Sequence, residues 1–531
     1  NGTLRGVEGE GQISPIRLTI GGSHSVPPIV ESGGLGKSSA GGDRGRAMED
    51  LDTKLYGYSR SDFYPFHMPG HKRRMTAGNL THPYQVDITE ITDFDNLHHA
   101  EGILKENQEA AAELYGAEQS YFLVNGSTAG ILAAVSACTE RRGRILMARN
   151  CHKAAYHAVY LRELTARYLY PALDETLGLA GGISPEDTER ELQRDPEIQA
   201  VLITSPTYDG LVSPVEKIAQ VCHRHGVPLI VDEAHGAHFP FSKAFPASAL
   251  ELGADIVIQS LHKTLPSLTQ TAVLHSTFSR VDKEKLERFL GIYQSSSPSY
   301  VLMGSITACL RYLKEQGKER FSRYEENLEE IREHLKELQC LRLLGEEVIG
   351  RGNVFDLDRS KLVIFSAGTG MSGPRFHDIL RREHHLEMEM EAEQYVLALT
   401  SLMDTREGFS RLEKALFDID EKLVRQQETE GRSTAGFSVP FAGGAETACA
   451  QQVCRISEGM ELPGQEIPLA ESEGRISAEY AYLYPPGIPL LVPGERISRA
   501  FLEQAERLKG NGLVLQGMKD YTMERIMTVK E

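Results

Sequence analysis

Between residues 101 and 276, short apolar runs alternate with longer amphipathic ones. This rhythm constrains the fold more than any other feature of the chain. Gln119-Ser-Tyr-Phe-Leu-Val124, Arg144-Ile-Leu-Met-Ala148, Gln199-Ala-Val-Leu-Ile-Thr204, Pro228-Leu-Ile-Val-Asp-Glu233 and Ala254 to Ser260 read as strands. Their near-continuous apolar content suits strands buried on both faces. Between them, Thr128 to Cys138 and the stretch from His152 read as helices. Ser184-Pro185 opens a further helix with a capping serine and a first-turn proline, and Ser213-Pro214 caps the next. Such alternation predicts an α/β fold with a mostly parallel sheet covered on both sides. Ligands on these sheets bind outside the carboxyl ends of the strands, so polar residues at those ends are the candidates for chemistry.

The chain's 531 residues exceed one ordinary core. Residues 1–46, rich in Gly and Ser, read as a disordered tail. Residues 47–100 read as a segment packing on a large domain spanning 101–315. Residues 316–430 read as a smaller α+β domain containing the strands Lys361 to Phe365 and Tyr395 to Leu399. Residues 431–531 read as a C-terminal α+β domain, reached through a polar, Gly-rich linker from Gln426 to Gly444. A net charge of −18 argues against nucleic acid as a partner and fits a cationic small substrate. Seven cysteines without a C-x-x-C pair suggest reduced thiols in the cytoplasm, with no zinc site. No apolar run is long enough for a membrane span, and no signal peptide opens the chain.

The strand-end residues form a pattern. Ser260-Leu-His-Lys263 follows the last apolar strand, and Asp232 closes the strand before it. Asn125-Gly-Ser-Thr-Ala-Gly130 follows another strand and opens a helix, where small residues and the helix dipole favour an anion. This combination suits pyridoxal phosphate. Lys263 is placed to form a Schiff base and Asp232 to hold the pyridine nitrogen protonated. Ala234 is small enough to lie under the ring, with His235 beside it. His152, in Asn150-Cys-His-Lys-Ala154, is placed to stack on the ring. Ser127, Thr128, Ser260 and His262 can bind the phosphate. In Thr204-Ser-Pro-Thr-Tyr-Asp-Gly210, Thr207 and Tyr208 either face the cofactor or shape the turn.

In this order, these motifs resemble the Orn/Lys/Arg decarboxylase family of fold-type-I pyridoxal-phosphate enzymes. Phe66-His-Met-Pro-Gly-His-Lys72 is similar to that family's opening signature, and Asp95-Asn-Leu-His-His-Ala-Glu-Gly102 to the segment after it. Arg149-Asn-Cys-His-Lys153, Asp232-Glu-Ala-His-Gly-Ala-His238 and Ser260-Leu-His-Lys263 continue the series. Tyr484-Pro-Pro-Gly-Ile-Pro489 and Pro493-Gly-Glu495 resemble its C-terminal domain. The resemblance implies the aspartate-aminotransferase-like fold, a homodimer with active sites at the interface, and a short form lacking the wing domain of larger members. It also implies Lys263 as the Schiff-base lysine, Asp232 as the pyridinium partner and His152 as the stacking residue. The short form is linked with polyamine-precursor synthesis, which points to arginine as substrate, with lysine or ornithine as alternatives.

Decarboxylation of a basic amino acid also requires an acidic partner for its distal cation, with Glu495, Asp93 and Asp95 as candidates. Either His262 or Lys263 can return a proton to Cα. Asp232-Glu-Ala-His235 spells a helicase box, but a phosphate loop ending at Gly36-Lys37-Ser38 would need glycine where Glu31 stands. His235, His238 and His262 lack zinc-ligand spacing. An aminotransferase or lyase of the same fold is the nearest competing reading.

Overall fold

A computed structural model describes residue 55 and residues 58–74, 83–174, 177–429, 451–483 and 487–530. The expected tail over 1–46, residues 430–450 of the expected linker and C-terminal domain, and Tyr484-Pro-Pro486 lie outside them.

The alternating region forms a seven-stranded sheet. Its strands are β1 (Gln119–Leu123), β2 (Arg144–Ala148), β3 (Thr165–Leu169), β4 (Ile198–Thr204), β5 (Leu229–Asp232), β6 (Ile256–Gln259) and β7 (Ala272–Ser276). They lie in the order β1-β7-β6-β5-β4-β2-β3. β7 runs antiparallel to both of its neighbours, and the remaining pairs are parallel. β5 and β6 are buried along their whole length, as their unbroken apolar sequences require.

Helices α1 (Ile103–Tyr115), α2 (Gly126–Cys138), α3 (Lys153–Leu161), α4 (Pro185–Arg194) and α5 (Val215–Arg224) connect or flank these strands. Ser184 caps α4 by accepting from Asp187 N, and Pro185 takes the first helical position. Ser213 does not cap α5. Pro214 holds that position, and the Ser213 hydroxyl instead accepts from Ile183 N at 3.0 Å.

Beyond the sheet, α6 (Lys283–Tyr293) leads to α7 (Tyr300–His334), a continuous 35-residue helix that runs through the expected boundary at 315. Its apolar side chains, from Ile306 to Ile331, join a core shared by Tyr64 and Phe66, the β7 residue Val273 and the smaller sheet. That four-stranded sheet comprises β8 (Arg342–Leu343), β9 (Lys361–Phe365), β10 (Met390–Glu391) and β11 (Tyr395–Leu399) in the order β8-β9-β11-β10. Helices α8 (Gly373–His384) and α9 (Arg406–Thr429) accompany it, and α9 makes Gln426 to Thr429 helical rather than linker. The C-terminal portion encloses its own core around Leu491, Ile497, Phe501 and Ile526.

Candidate active site

Parallel pairing places Asp232 opposite Ile258, so the ends of β5 and β6 lie side by side. One helical turn, Leu261–Thr264, follows β6 and presents Lys263 there. Lys263 Nζ lies 3.0 Å from His235 Nε2. Burial pushes the Lys263 amine below its ordinary range, against the pull of Asp232 and Glu389. Asp232 is 5% exposed, and its Oδ1 accepts from Ala234 N at 3.1 Å. Burial pushes its carboxyl up, opposed by Lys263 and that N–H. Ala234 is buried beside it.

The opening motif packs on this turn. Gly70 N donates to His262 O at 2.7 Å, and a Cβ on Gly70 would come within 2.8 Å of Thr264 backbone. Only glycine permits that approach.

At the start of α2, Ser127 Oγ lies 2.6 Å from Ser260 Oγ, joining a helix N-terminus to the end of β6. Thr128 is exposed beside them. His152 caps α3 through Nδ1, which accepts from Ala154 N at 3.2 Å. Burial and then Lys263 drive its ring down to about 3. His262 donates from Nδ1 to Thr271 O at 2.9 Å, and burial pushes its ring down to about 4. His235, fully buried and pushed far below its usual range by burial, feels Lys263, Lys361, His262 and His152. Tyr208 meets the His235 ring edge-on at 4.6 Å. Thr207 closes the turn after β4, accepting from Leu211 N through its hydroxyl at 3.0 Å.

The expected acidic partners fare differently. Glu495 is 0% exposed and ion-paired to Arg149, 3.2 Å from Nη2, while also accepting from Val492 N. A carboxylate sealed in this way is a structural ion pair and not a group open to a substrate. Asp95 accepts from four backbone N–H groups, those of Asn96, Glu101, Gly102 and Leu104. It organises the loop before α1 and has no acceptor site to spare. Asp93 is exposed.

Three groups near Lys263 escape the sequence reading. Lys361, at the head of β9, places Nζ 2.9 Å from His235 Nδ1. Asp358, 0% exposed, pairs with His238 at 3.2 Å and faces Lys361. Glu389 receives the Tyr208 hydroxyl and, at 2.7 Å, Met68 N. A lysine leading an apolar strand and a glutamate between two short strands look like surface charges in sequence. Nothing in their spacing links them to residues more than a hundred positions away.

A buried amine, a buried carboxylate on the neighbouring strand and paired hydroxyls at the positive end of a 13-residue helix fit pyridoxal phosphate. Among the described residues, no group of three or more His, Cys, Asp or Glu side chains is placed to hold a metal. No helix among them is long and apolar enough to cross a membrane.

Comparison with known proteins bears on this arrangement. The family profile "Orn/Lys/Arg decarboxylase, major domain" matches residues 50–409, and "Orn/Lys/Arg decarboxylase, C-terminal domain" matches 456–509. An arginine decarboxylase of Halalkalibacterium halodurans is 30% identical over 489 residues, covering 91% of this chain and 97% of that protein. One of Bacillus subtilis is 29% identical over 490 residues, covering 91% and 98%. Among solved structures, the lysine decarboxylase LdcF of Francisella novicida superposes with a TM-score of 0.70 at 19% identity, covering 90% of this chain and 81% of that one. The E. coli constitutive lysine decarboxylase gives 0.65 at 19%, covering 80% and 72%.

Proposed function

Because this chain belongs to the Orn/Lys/Arg decarboxylase family and is a pyridoxal-phosphate-dependent amino-acid decarboxylase, we propose that it converts L-arginine to agmatine and carbon dioxide. The observation that carries the choice of substrate is the nearly end-to-end match to proteins named arginine decarboxylase. Those named for lysine are more distant, at 23–24% identity.

When bound, the cofactor supplies an electron sink for the pair left on Cα as the carboxylate departs. Lys263 would hold its aldehyde carbon and Asp232 its ring nitrogen. Ala234 and His152 would lie against the ring, and Ser127, Thr128 and Ser260 near the phosphate, whereas His262, with its one hydrogen committed to Thr271 O, would have none to offer there. His235 and Thr207 would line the remaining side. Asp232, with water excluded and one N–H as its hydrogen-bond donor, is a strong acceptor for a ring-nitrogen proton.

We assign the proton returned to Cα to Lys263. His262 commits its Nδ1 hydrogen to Thr271 O, and with its ring at about 4 it carries no second proton near neutrality. Asp93 is the remaining proposed partner for the guanidinium group.

The finer reading is a cytoplasmic homodimer supplying polyamine precursors. Three features support it: the described cysteines are free thiols, the cup residue Thr128 stands exposed in the single chain, and agmatine is a diamine precursor. The test offers arginine, lysine and ornithine separately to the purified protein with pyridoxal phosphate. Agmatine from arginine is the expected result. Cadaverine or putrescine without agmatine moves the substrate, and no carbon dioxide from any of the three overturns the reading.

A further inference from the structure

The turn that carries Lys263 is too short to hold itself in place. Leu261–Thr264 is a single helical turn, and Ser260 gives it no side-chain cap. A helix of this length leaves most of its carbonyls without an internal partner, and its few bonds offset little of the entropy lost in ordering it. One of these carbonyls, His262 O, is satisfied from outside, by Gly70 N at 2.7 Å. Gly70 also packs directly on the end of the turn, where an added Cβ would meet backbone atoms of Thr264 and Leu265 at 2.8 to 2.9 Å.

The segment around Gly70 is itself anchored elsewhere. Gly70 O accepts from Ser401 Oγ at 2.6 Å. Lys72 Nζ donates to Leu399 O at 2.6 Å and to His67 O at 3.0 Å. Leu399 ends β11, and Ser401 lies in the turn that follows it. Ser401 is 1% exposed and Lys72 2%, so no water competes for these bonds. Upstream, Met68 N donates to Glu389, the Tyr64 hydroxyl donates to Asp404, and Tyr64–Phe66 pairs with Leu386–Met388. Apart from His67, every one of these partners lies within residues 386–404. Gly70 is thus a two-sided joint. Its N–H is on the lysine turn, and its C=O is on the connection leaving the smaller sheet.

We propose that Ser401 is a positioning residue for the reaction, holding the Lys263 turn in place from the smaller sheet through Gly70, with Lys72 as the second fastening of the same joint. This rests on the reading of Lys263 as the lysine that holds the cofactor. A four-residue turn follows its anchors. Loosening Gly70 therefore loosens the backbone from which Lys263 Nζ must reach an aldehyde carbon, and small errors of placement at a reacting atom are costly.

The test uses the full-length protein freed of pyridoxal phosphate and reads two quantities. One is amide hydrogen exchange in the peptide covering residues 260–266, by mass spectrometry. The other is the first-order rate at which the protein captures saturating pyridoxal phosphate, by absorbance. Ser401→Ala is expected to speed the exchange and slow the capture, each about tenfold, the effect of one lost buried hydrogen bond. Lys72→Met carries the same expectation should that variant not fold. Ile419→Val is the control. It trims a buried side chain of the core that also holds Tyr64, Leu261 and Leu265, at a comparable loss of stability. It is expected to leave both quantities within about twofold of wild type. Either quantity unmoved in the folded Ser401→Ala protein, or moved equally in Ile419→Val, overturns the proposal. Borohydride reduction of the wild-type holoenzyme followed by peptide mapping tests the underlying reading separately. Pyridoxyl found on a lysine other than Lys263 overturns that reading whatever the Ser401 variant does.

Discussion

The hydroxyl oxygens of Ser127 and Ser260 lie 2.6 Å apart although 133 residues separate them in the chain. The first turn of α2 and the end of β6 thus meet at one point, with two hydroxyls and a helix N-terminus converging. If this is the phosphate cup, each serine contributes a hydrogen bond to a charged group. Ser127→Ala and Ser260→Ala are each expected to weaken pyridoxal phosphate binding about tenfold. Equilibrium dialysis of the single and double variants checks this, and an unchanged dissociation constant in the double variant removes the cup.

Asp232→Ala is expected to lower kcat on the order of 100-fold or more while cofactor remains bound, because under the proposed reading this buried carboxylate would hold the ring-nitrogen proton. Steady-state kinetics beside the cofactor absorbance spectrum separates loss of chemistry from loss of binding. Normal turnover in Asp232→Ala would sink the assignment.

Glu495 pairs with Arg149 where neither side chain is more than 3% exposed. Removing one partner leaves the other charge buried and uncompensated. Glu495→Gln is therefore expected to cost about 3 kcal/mol of stability or more, with KM for arginine unchanged in the folded fraction. Denaturant unfolding supplies the first quantity and initial-rate kinetics the second. A raised KM with normal stability would return Glu495 to the substrate site.

His275 is fully buried between Ser120 Oγ, 2.7 Å from Nδ1, and Gln259 Oε1, 3.2 Å from Nε2. Burial drives its ring down to about 3 from an ordinary value near 6.5. In that window the unfolded chain binds the extra proton and the folded one does not. Its contribution to stability is therefore present above pH 6.5 and is lost as pH falls towards 3, by about 1.4 kcal/mol per pH unit. Glu233, pushed up to about 7 by burial, acts in the opposite direction between 4.5 and that value. The readout is accordingly the difference in slope between wild type and His275→Gln in urea unfolding at pH 7, 6 and 5. The variant's stability should fall less steeply with acid, and identical slopes would contradict the burial of a neutral ring.

Much of the large domain is legible in the linear chain. β2, β9 and β11 fall on the residues expected, because strands buried on both faces are written as unbroken Val, Ile and Leu runs. Lys263, Asp232, Ser127 and Ser260 are legible for a related reason. Parallel strands deliver their C-terminal residues to one edge, so a polar residue ending an apolar run marks that edge whatever its partners are. Local capping is partly legible: Ser184 caps as expected, whereas Ser213 turns to Ile183 because a second segment offers its N–H.

The charged residues divide differently. In sequence, Glu495 and Asp95 are carboxylates available to a cationic substrate; in the fold, one is sealed on Arg149 and the other is taken up by four backbone N–H groups. Lys361 reverses this, a surface-like lysine in sequence that ends 2.9 Å from the histidine touching Lys263. By itself the sequence determined five of the seven strands of the large sheet and the strand ends that carry Asp232 and Lys263, because apolar periodicity and strand polarity are local properties. Only the tertiary structure decided which charges are spent on structure and which reach the site. That depends on desolvation and on partners tens to hundreds of residues away, which no local pattern encodes.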